Sequence, residues 1–316
     1  MTPYQNPVYP DYFADPFVLK VGTDYYAYGT APGMPENGRQ FPVLQSRDLV
    51  HWERVGGALL RPNGPARTAY WAPEAAERNG KFYLYYSAAT GTDESHRLYA
   101  AVADHPAGPF TEAGPLLPDF GKFAIDAHPF QDPKDGRWYL LFATDFFDAR
   151  PGTALAGVPL ADDMVSAAGP VTTLLRASGD WQIYERNRTL YGRHWDAWHT
   201  LEGPTLLFHN GKYVLLYSGG NWNGGTYGVG YAVADSILGP YTEPETGPKV
   251  LSGADSGAVV GPGHCSVVLS PAGAETVVYH AWDPALTARR LCIDPLIWDS
   301  GRPRCAGPTS TPQILP

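Results

Sequence analysis

Carboxylate side chains recur at one place in a repeating pattern, the start of a predicted β-strand. Asp15 opens DPFVLKVGTDYYAYGT, Glu74 opens EAAERNGKFYLYYSA, Asp126 opens DAHPFQDPKDGRWYLLFAT and Glu202 opens EGPTLLFHNGKYVLLYSGG. A fifth unit, HCSVVLSPAGAETVVYHAW, opens with His264. In each unit a turn containing Gly, Asp or Asn separates two runs of β-forming residues, a pattern that predicts a strand, a turn and a second strand.

Five equivalent strand starts that converge would bring four acids and a histidine together. Crowded carboxylates oppose one another's ionisation, so stability alone would not favour the arrangement. General acid–base catalysis uses one acid that is kept protonated beside another that stays ionised. A single Asp or Glu is more often a turn residue that caps a backbone amide, but that explanation weakens when the acids occupy equivalent repeat positions. We therefore predict a functional site where the strand starts meet.

The repeat predicts the elements that position these side chains. The second strands of the units begin near Tyr25, Phe82, Trp138, Tyr213 and Thr276, a recurrence of about 55 to 75 residues. This spacing suits four-stranded propeller blades better than solenoid repeats. The segments AVADHPAGPF and AVADSILGPY echo one another and support a blade repeat independently of the acids. The predicted fold is an all-β, five-bladed β-propeller, a single domain over residues 1–316, with the first strand of each blade lining a central channel.

Composition limits the ligand that such a channel would bind. The chain has 316 residues, with 35 Gly, 31 Pro and 13% aromatic residues, which is typical of a turn-rich β-protein. Aromatic rings can cover the apolar C–H face of a sugar, although most of these rings are expected to pack in the core. The formal net charge of −9 argues against nucleic acid or an anionic membrane as a partner. A neutral ligand is the simpler expectation.

Neither a membrane span nor a cysteine-based site is expected. No run of about 18 apolar residues occurs, and MTPYQNPVYP lacks the basic start and apolar core of a signal peptide. We expect a cytoplasmic protein, or a secreted one whose leader is absent from this sequence. The three cysteines have no C-x-x-C spacing, so neither a disulfide framework nor a thiolate zinc site is expected. Cys265 follows His264, but neighbours in a strand point to opposite faces, which argues against a catalytic pair.

Five pairs of segments together resemble glycoside hydrolase family 43. They are YFADPFVLK with VGTDYYAYGT, YWAPE with GKFYLYYS, FAIDAHPF with GRWYLLFAT, LEGP with GKYVLLYSG, and GPGHCSVV with VVYHAW, in that order over nearly the whole chain. The resemblance implies a five-bladed propeller that cleaves arabinofuranosyl or xylosyl linkages with inversion. It implies Asp15 as the general base, Glu202 as the general acid and Asp126 as a third carboxylate that tunes the acid and orients the substrate.

The same resemblance implies further site residues. Arg290, in ARRLCIDPLIW, matches an arginine that reaches the sugar hydroxyls, with neighbouring Arg289 as the alternative. Glu74, which follows WAP, is expected either to contact substrate or to be structural. Independently of the resemblance, Trp71 is a candidate for a subsite wall, and Trp222 is expected to line the pocket mouth.

Calcium is the one metal that the resemblance suggests. His264 matches a central histidine near a metal, often calcium, in many members of the family. The chemistry itself requires no cofactor, so calcium in the central channel would be structural. Calcium prefers oxygen ligands, so the imidazole would be at most an auxiliary ligand or would hydrogen-bond a bound water. The alternative is a hydrogen-bonded channel histidine.

The sequence also favours one kind of cleavage. Residues 171–199 are rich in Arg, Trp and Tyr without clear strand alternation, so we predict a long loop over one face of the pocket. A closed channel end favours exo-acting α-L-arabinofuranosidase activity on arabinan or arabinoxylan. β-Xylosidase or bifunctional xylosidase/arabinofuranosidase activity is the nearest alternative, followed by endo-arabinanase. The expected partners are arabinose- or xylose-containing oligosaccharides and polysaccharides; the sequence is silent on oligomeric state.

Two interpretations from other classes remain. A non-catalytic sugar-binding propeller would keep the aromatic residues but has no need for three acids at matching places. A retaining enzyme acting on fructosides would use Asp15 as a nucleophile only about 5 to 5.5 Å from the acid/base, whereas an inverting enzyme separates the two carboxyls by about 6.5 to 9.5 Å. The anomer of the first product separates the two mechanisms.

Overall fold

The computed structural model describes residues 1–33, 38–62, 66–253 and 259–316, and their regular structure is β-sheet with short 3₁₀ turns. Strand β1 (Thr2–Tyr4) precedes the first blade, which consists of β2 (Ala14–Val21), β3 (Asp24–Thr30), β4 (Gln40–Ser46) and β5 (Glu53–Leu59). The second blade consists of β6 (Thr68–Arg78), β7 (Lys81–Ala89), β8 (Arg97–Ala103) and β9 (Thr111–Pro115).

The third blade is the largest. It contains β10 (Ala124–Gln131), β11 (Trp138–Phe146), β12 (Gly152–Pro159) and β13 (Thr172–Leu175), followed by an added hairpin of β14 (Ile183–Leu190) and β15 (Arg193–His199). The fourth blade is β16 (Leu201–His209), β17 (Lys212–Gly219), β18 (Gly228–Ala234) and β19 (Leu251–Ser252). The fifth is β20 (Val260–Leu269), β21 (Glu275–Trp282), β22 (Arg289–Asp299) and β23 (Arg302–Cys305), and β24 (Gln313–Leu315) ends the chain.

The blades close into a ring, which confirms the predicted five-bladed propeller. The four regular strands of each blade pair in chain order, and the added hairpin of the third blade joins β12 through β15. The inner strands β2, β6, β10, β16 and β20 each contact the inner strands of both neighbouring blades. Five clusters of buried apolar residues lie between successive blades. Burial of these clusters is the main force that holds the blades together, because each sheet exposes an apolar face that only its neighbour covers.

Every inner strand carries a β-bulge at the same place, and this bulge sets which side chains face the channel. Pairing with the second strand shifts register after Ala14, Trp71, Ile125, Glu202 and Gly263. The next residue in each strand has a left-handed backbone: φ is 50° at Asp15, 47° at Ala72, 60° at Asp126, 52° at Gly203 and 46° at His264. Bulges re-aim side chains beside active sites, and left-handed non-glycine residues cost about 1 to 3 kcal/mol each.

The bulge corrects the predicted equivalence of the five strand starts. Asp15, Asp126 and His264 occupy the bulge position, but Glu202 lies one residue before it and Glu74 two residues after it. The regular period of a strand cannot show this offset, because the extra residue changes which side chains face the channel.

Residues 171–199 are also different from the prediction. Instead of an irregular loop they form β13, a 3₁₀ turn at Asp180–Gln182 and the β14–β15 hairpin, which joins the third blade through a single parallel bridge between Gly152 and His199. The hairpin lies outside the regular sheet and much of β14 is exposed. Its sequence therefore lacks the alternation of apolar and polar residues that would predict a strand.

The chain ends are joined outside the blades. Strand β1 pairs antiparallel with β24, from Thr2–Leu315 to Tyr4–Gln313. The N-terminal segment then runs along β22, where the Val8 amide donates to the Leu291 carbonyl. No helix within the four described ranges has the length and apolar character needed to span a membrane.

Candidate active site

The channel opens at one end into a small pocket of about 170 Å³. The bulges aim a side chain from the inner strand of every blade into this pocket. The fifth blade adds an arginine from β22. Its lining residues are Asp15, Trp71, Ile125, Asp126, Glu202, Trp222, His264 and Arg289. The structure therefore brings together the three acids, both tryptophans and the histidine that the sequence predicted.

Asp15 is surrounded by basic groups. Its Oδ1 lies 3.1 Å from Nη1 of Arg289, 3.3 Å from Nδ1 of His280 and 3.5 Å from Nδ1 of His264. Burial alone would raise the pKa of Asp15, but Arg289 and the two histidines hold that pKa well below its usual range. Asp15 is therefore ionised at neutral pH, as a general base must be.

Glu202 is in the opposite electrostatic state. Burial raises its pKa to about 7; the hydroxyl of Tyr227, which donates to Oε1 at 2.7 Å, opposes this shift, and the negative charge of Asp15 adds to it. A carboxyl with this pKa keeps its proton on a large fraction of molecules near neutral pH, so Glu202 can donate that proton to a leaving group.

Asp126 lies beside Glu202 and is itself buried. Burial, followed by the charges of Glu202 and Asp15, raises the pKa of Asp126 well above its usual range, although the Gly203 amide stabilises the ionised form by donating to Oδ2 at 2.9 Å. Since the repulsion between Asp126 and Glu202 is mutual, the pair retains protons to higher pH than a solvated acid would.

Arg289, not Arg290, is the arginine of the pocket. The guanidinium of Arg289 donates to Asp15 at 3.1 Å and to the hydroxyl of Tyr12 at 3.0 Å, and it lies 4.6 Å from the ring centre of Trp222. Arg290 instead donates to Oδ2 of Asp283 at 3.0 Å and is absent from the lining of the pocket. The sequence-based choice of Arg290 is thus corrected by one residue, because alternate residues of β22 point to opposite faces and the sequence could not decide which face is inner.

Glu74 is not part of the pocket lining, so of the two roles expected for it the structure favours the structural role over substrate contact. It is buried behind the wall, where Nδ1 of His128 lies 2.7 Å from its Oε2. Nε2 of the same histidine accepts from the Leu206 amide at 3.0 Å. Glu74 thereby fixes His128 between the second blade and the strand that carries Glu202, which is a structural role.

Two tryptophans wall the pocket as predicted. Trp71 stacks on His96 with ring centres 3.8 Å apart, and both nitrogens of that imidazole lie within 2.7 Å of backbone carbonyl oxygens, those of Asp93 and Ala69. Trp222 stacks on Trp282, whose indole N–H donates to the Trp222 carbonyl at 2.8 Å. Both indoles are held by neighbours, so the walls are preorganised for a flat ligand.

His264 lies at the centre of the acids. Its Nδ1 is 3.5 Å from Asp15 and 3.9 Å from Asp126, and burial lowers its pKa. Across the described ranges, no group of three or more His, Cys, Asp and Glu side chains is arranged to hold a metal ion. These side chains alone do not form the oxygen-rich set that calcium prefers. The calcium ion stays a prediction, and no catalytic step below depends on it.

Sequence reasoning missed two residues that shape the acids. Tyr227, in a Gly-rich stretch, donates to Glu202, and His280, in VVYHAW, accepts from the Asp15 amide at 3.0 Å. The only sequence signal for His280 is its place in the second strand of the fifth unit, opposite the inner strand. Nothing in NGGTYGVG distinguishes Tyr227 from a core tyrosine.

Comparison with known proteins gives one consistent family. The model of glycosyl hydrolases family 43 matches residues 4–303. A β-D-galactofuranosidase of Aspergillus niger is 30% identical over 92% of this chain and 80% of its own length. An extracellular endo-α-(1→5)-L-arabinanase of Bacillus subtilis is 29% identical over 92% of this chain and 86% of its own. An extracellular exo-α-(1→5)-L-arabinofuranosidase of Streptomyces chartreusis is 28% identical over 88% of this chain and 82% of its own.

The solved structures agree. A thermostable family-43 glycoside hydrolase superposes with a TM-score of 0.86 and 34% identity over 98% of both chains. This agreement confirms the resemblance that the five pairs of segments carried. The chain belongs to glycosyl hydrolases family 43 and is a glycoside hydrolase.

Proposed function

We propose that this glycoside hydrolase is an inverting, exo-acting α-L-arabinofuranosidase. The observation that carries the proposal is the opposite ionisation of two carboxyls in one small pocket, with the pKa of Asp15 held well below its usual range and that of Glu202 raised to about 7. A general base and a general acid that coexist at neutral pH are what single-displacement hydrolysis requires.

The proposed reaction uses one water molecule. Asp15 takes a proton from that water as its oxygen bonds to the anomeric carbon. Glu202 gives its proton to the glycosidic oxygen as the bond between that oxygen and the anomeric carbon breaks. Attack from the face opposite the leaving group inverts the anomeric centre, and exchange of protons with solvent then restores both carboxyls.

Pocket size and relatives support exo cleavage of an arabinofuranoside. The central pocket, of about 170 Å³, has room for about one pentose ring between Trp71 and Trp222. The exo-acting relative from Streptomyces chartreusis acts on α-(1→5)-linked L-arabinofuranose. β-Xylosidase activity is the nearest alternative, and endo-arabinanase activity, as in the Bacillus subtilis relative, comes after it.

A second candidate is β-D-galactofuranosidase activity. The Aspergillus niger relative is named for it, and α-L-arabinofuranose and β-D-galactofuranose have the same ring configuration and differ by one exocyclic carbon. A cavity of about 460 Å³ adjoins the central pocket, and Trp71 and Arg289 line both. That cavity offers space for the longer exocyclic chain.

One experiment tests both the mechanism and the sugar. Proton NMR would follow the first product from the p-nitrophenyl glycosides of α-L-arabinofuranose, β-D-xylopyranose and β-D-galactofuranose. Inverted arabinose, released fastest, is expected. A retained anomer would overturn the mechanism, faster release of another sugar would change the specificity, and long oligomers released early from linear arabinan would contradict exo action.

A variant separates the acid from the rest of the site. Glu202→Gln should abolish cleavage of arabinobiose yet keep part of the activity on p-nitrophenyl α-L-arabinofuranoside, since nitrophenolate needs little protonation to leave. Asp15→Asn should reduce cleavage of both substrates alike. Intact arabinobiose hydrolysis by Glu202→Gln would show that another group is the acid.

A further inference from the structure

A second cavity opens from the central pocket beside Glu202. It has a volume of about 270 Å³, and Trp71, Ile125, Glu202 and Trp222 line it together with the central pocket. Asp15 lines the central pocket but not the second cavity. Because the cavity begins at Glu202 and not at Asp15, a group that leaves with the proton of Glu202 would enter this cavity.

The added hairpin of the third blade forms the outer wall of the cavity. Its residues in the lining are Tyr184, Arg188, Leu190, Tyr191 and Trp198. The regular blade architecture needs no such hairpin, since β10 to β13 already complete a four-stranded blade. The cavity therefore exists because β14 and β15 were added beside the acid.

Asp145 presents a hydrogen-bond acceptor to this cavity. The carboxylate is at the end of β11, 5% exposed, and its Oδ2 accepts from the hydroxyl of Tyr191. Oδ1 has no hydrogen-bond partner within the described part of the chain. Burial raises the pKa of Asp145 to about 6, while the Tyr191 hydroxyl and the charge of Arg188 favour ionisation, so most molecules carry an ionised Asp145 at neutral pH.

Aromatic rings continue from the cavity to the surface. Phe147 is 51% exposed and Tyr191 42% exposed, and their ring centres are 5.4 Å apart. Buried Trp195 stacks below Phe147 at 5.7 Å, and buried Trp198 lies 6.2 Å from Tyr191. Exposed rings fixed on buried ones form a rigid platform of the kind that covers the apolar face of a sugar.

The cavity is lined by more acidic than basic side chains. Its described lining includes the acids Asp93, Glu94, Asp145 and Glu202, and Arg188 as the basic residue. Arg188 is held 3.5 Å from Glu185 and lies 4.7 Å from the ring centre of Tyr184. A uronate would meet more negative than positive charge here, whereas sugar hydroxyls can donate to the carboxylates.

We propose that this cavity, which we call the hairpin subsite, binds the leaving sugar of the substrate and takes a neutral sugar. Asp145 determines this preference by accepting a hydrogen bond from a hydroxyl group of that sugar. The inference rests on the proposed function, because it takes Glu202 as the acid. Binding there would orient the glycosidic oxygen toward Glu202, so part of the catalytic gain depends on having a sugar as the leaving group.

The test compares a substrate that has a leaving sugar with one that has none. Asp145→Asn should lower kcat/KM for arabinobiose by about 10- to 100-fold, the size of effect expected from a lost hydrogen bond to a charged acceptor. The same variant should lower kcat/KM for p-nitrophenyl α-L-arabinofuranoside at least about 5-fold less than it lowers kcat/KM for arabinobiose, since nitrophenolate offers no hydroxyl donor. Asp196→Asn is the matched control, because Asp196 is fully exposed on the same hairpin, and neither substrate should be affected.

A second variant protects the test against misfolding. Tyr191→Phe removes the hydroxyl that donates to Asp145 and should show the same selective loss at smaller size. The inference would be overturned if a folded variant lost kcat/KM equally on both substrates, or lost it on neither. If the parent enzyme cleaves neither substrate, the proposed function fails instead. In that case calorimetric titration with arabinobiose still tests the hairpin subsite, and we expect arabinobiose to bind Asp145→Asn more weakly than Asp196→Asn.

The preference for a neutral leaving group has its own measurement. Aryl α-L-arabinofuranosides with a 4-carboxyphenyl or a 4-(methoxycarbonyl)phenyl leaving group differ mainly in charge. The parent should have the lower kcat/KM for the carboxylate, and Asp145→Asn should narrow the difference. Equal kcat/KM for the two in the parent would overturn the charge preference.

Discussion

The amide of Gly203 donates to Oδ2 of Asp126 at 2.9 Å. Gly203 follows Glu202 directly and has a left-handed φ of 52°, so this bond fixes the backbone beside the proposed general acid. Asp126 therefore holds the peptide next to Glu202, and the charge of Glu202 in turn raises the pKa of Asp126.

Asp126→Asn tests both effects. The amide oxygen of Asn can still accept from Gly203, but the side chain cannot become negative. Since burial and the charge of Glu202 raise the pKa of Asp126 well above its usual range, Asp126 is largely neutral while Glu202 is protonated, and Asn resembles that state. We therefore expect kcat/KM for arabinobiose to fall by less than about 10-fold and the alkaline limb of the pH profile to stay in place. A profile of kcat/KM against pH is the measurement, and a limb moved to lower pH would show that a negative Asp126 helps Glu202 to keep its proton.

The pH dependence of the parent enzyme follows from two opposite shifts. Asp15 must be ionised, and its pKa lies well below the usual range; Glu202 must be protonated, and its pKa is about 7. Activity on arabinobiose should therefore stay high from weakly acidic pH to about neutral and fall as the pH rises through the pKa of Glu202. Glu202→Gln should remove the alkaline limb with an activated aryl substrate, and a limb that persists would assign it to another group.

Neighbouring arginines offer a matched pair of variants. Arg289→Gln removes the cation that contacts Asp15 and leaves a buried carboxylate less compensated, so the pKa of Asp15 should rise. The acid limb of the pH profile should move to higher pH. The value of kcat/KM should fall by about 100-fold or more, since removal of one partner of a buried charge pair costs about 3 kcal/mol. Arg290→Gln breaks the contact with Asp283 and should change kcat/KM by less than about 3-fold. Equal losses in both variants would contradict the placement of Arg289.

The sequence predicted the blades and most of the pocket because repeated hydrophobic patterns and turn residues report on local structure. Asp15, Asp126, Glu202, Trp71 and Trp222 were all placed correctly in the pocket. Glu74 was not, since the bulge moves it two residues past the channel-facing position, and a bulge leaves no mark in the pattern of apolar residues.

Other features depend on contacts between distant parts of the chain. Which of two adjacent arginines faces inward depends on the register of β22. The hairpin of residues 183–199 packs its Trp195 and Trp198 on Phe147, which follows β11, and this contact is invisible in the alternation along its own strands. Tyr227 contacts Glu202 only after the fourth blade has folded. Such relationships follow from tertiary packing, which overrides local preference.

Gly203→Ala tests the strain at the bulge. A Cβ at this position would lie 3.0 Å from Cγ of His264, and the backbone is left-handed. Gly211→Ala in the hairpin turn of the same blade is the control, since its φ is 81° but its Cβ would contact nothing within 4 Å. Both variants should lose about 1 to 2 kcal/mol for the left-handed backbone. Only Gly203→Ala should lose more, together with activity, because His264 and the bond to Asp126 must shift. Urea unfolding measures the stability, and equal losses with equal activity would show that the bulge tolerates a side chain.

Asp294 provides a last test, at the junction of the chain ends. This fully buried carboxylate on β22 accepts from the hydroxyls of Tyr4 and Tyr279, each at 2.8 Å, from Nδ2 of Asn6 at 3.2 Å, and from both the amide and the hydroxyl of Thr309. It thus ties both termini to the fifth blade.

Asp294→Asn places an amide group among these donors, so at least one donor loses its acceptor and the buried amide gains no new partner. We expect a loss of about 2 to 4 kcal/mol of unfolding free energy, from two or more hydrogen bonds to a charged acceptor. Asp299→Asn on the exposed end of the same strand should change stability by less than about 0.5 kcal/mol. Thermal unfolding compares the two variants, and limited proteolysis should cut Asp294→Asn first in its N-terminal segment. Equal stability of the two would mean that the pairing of β1 with β24 holds the chain ends without help from this carboxylate.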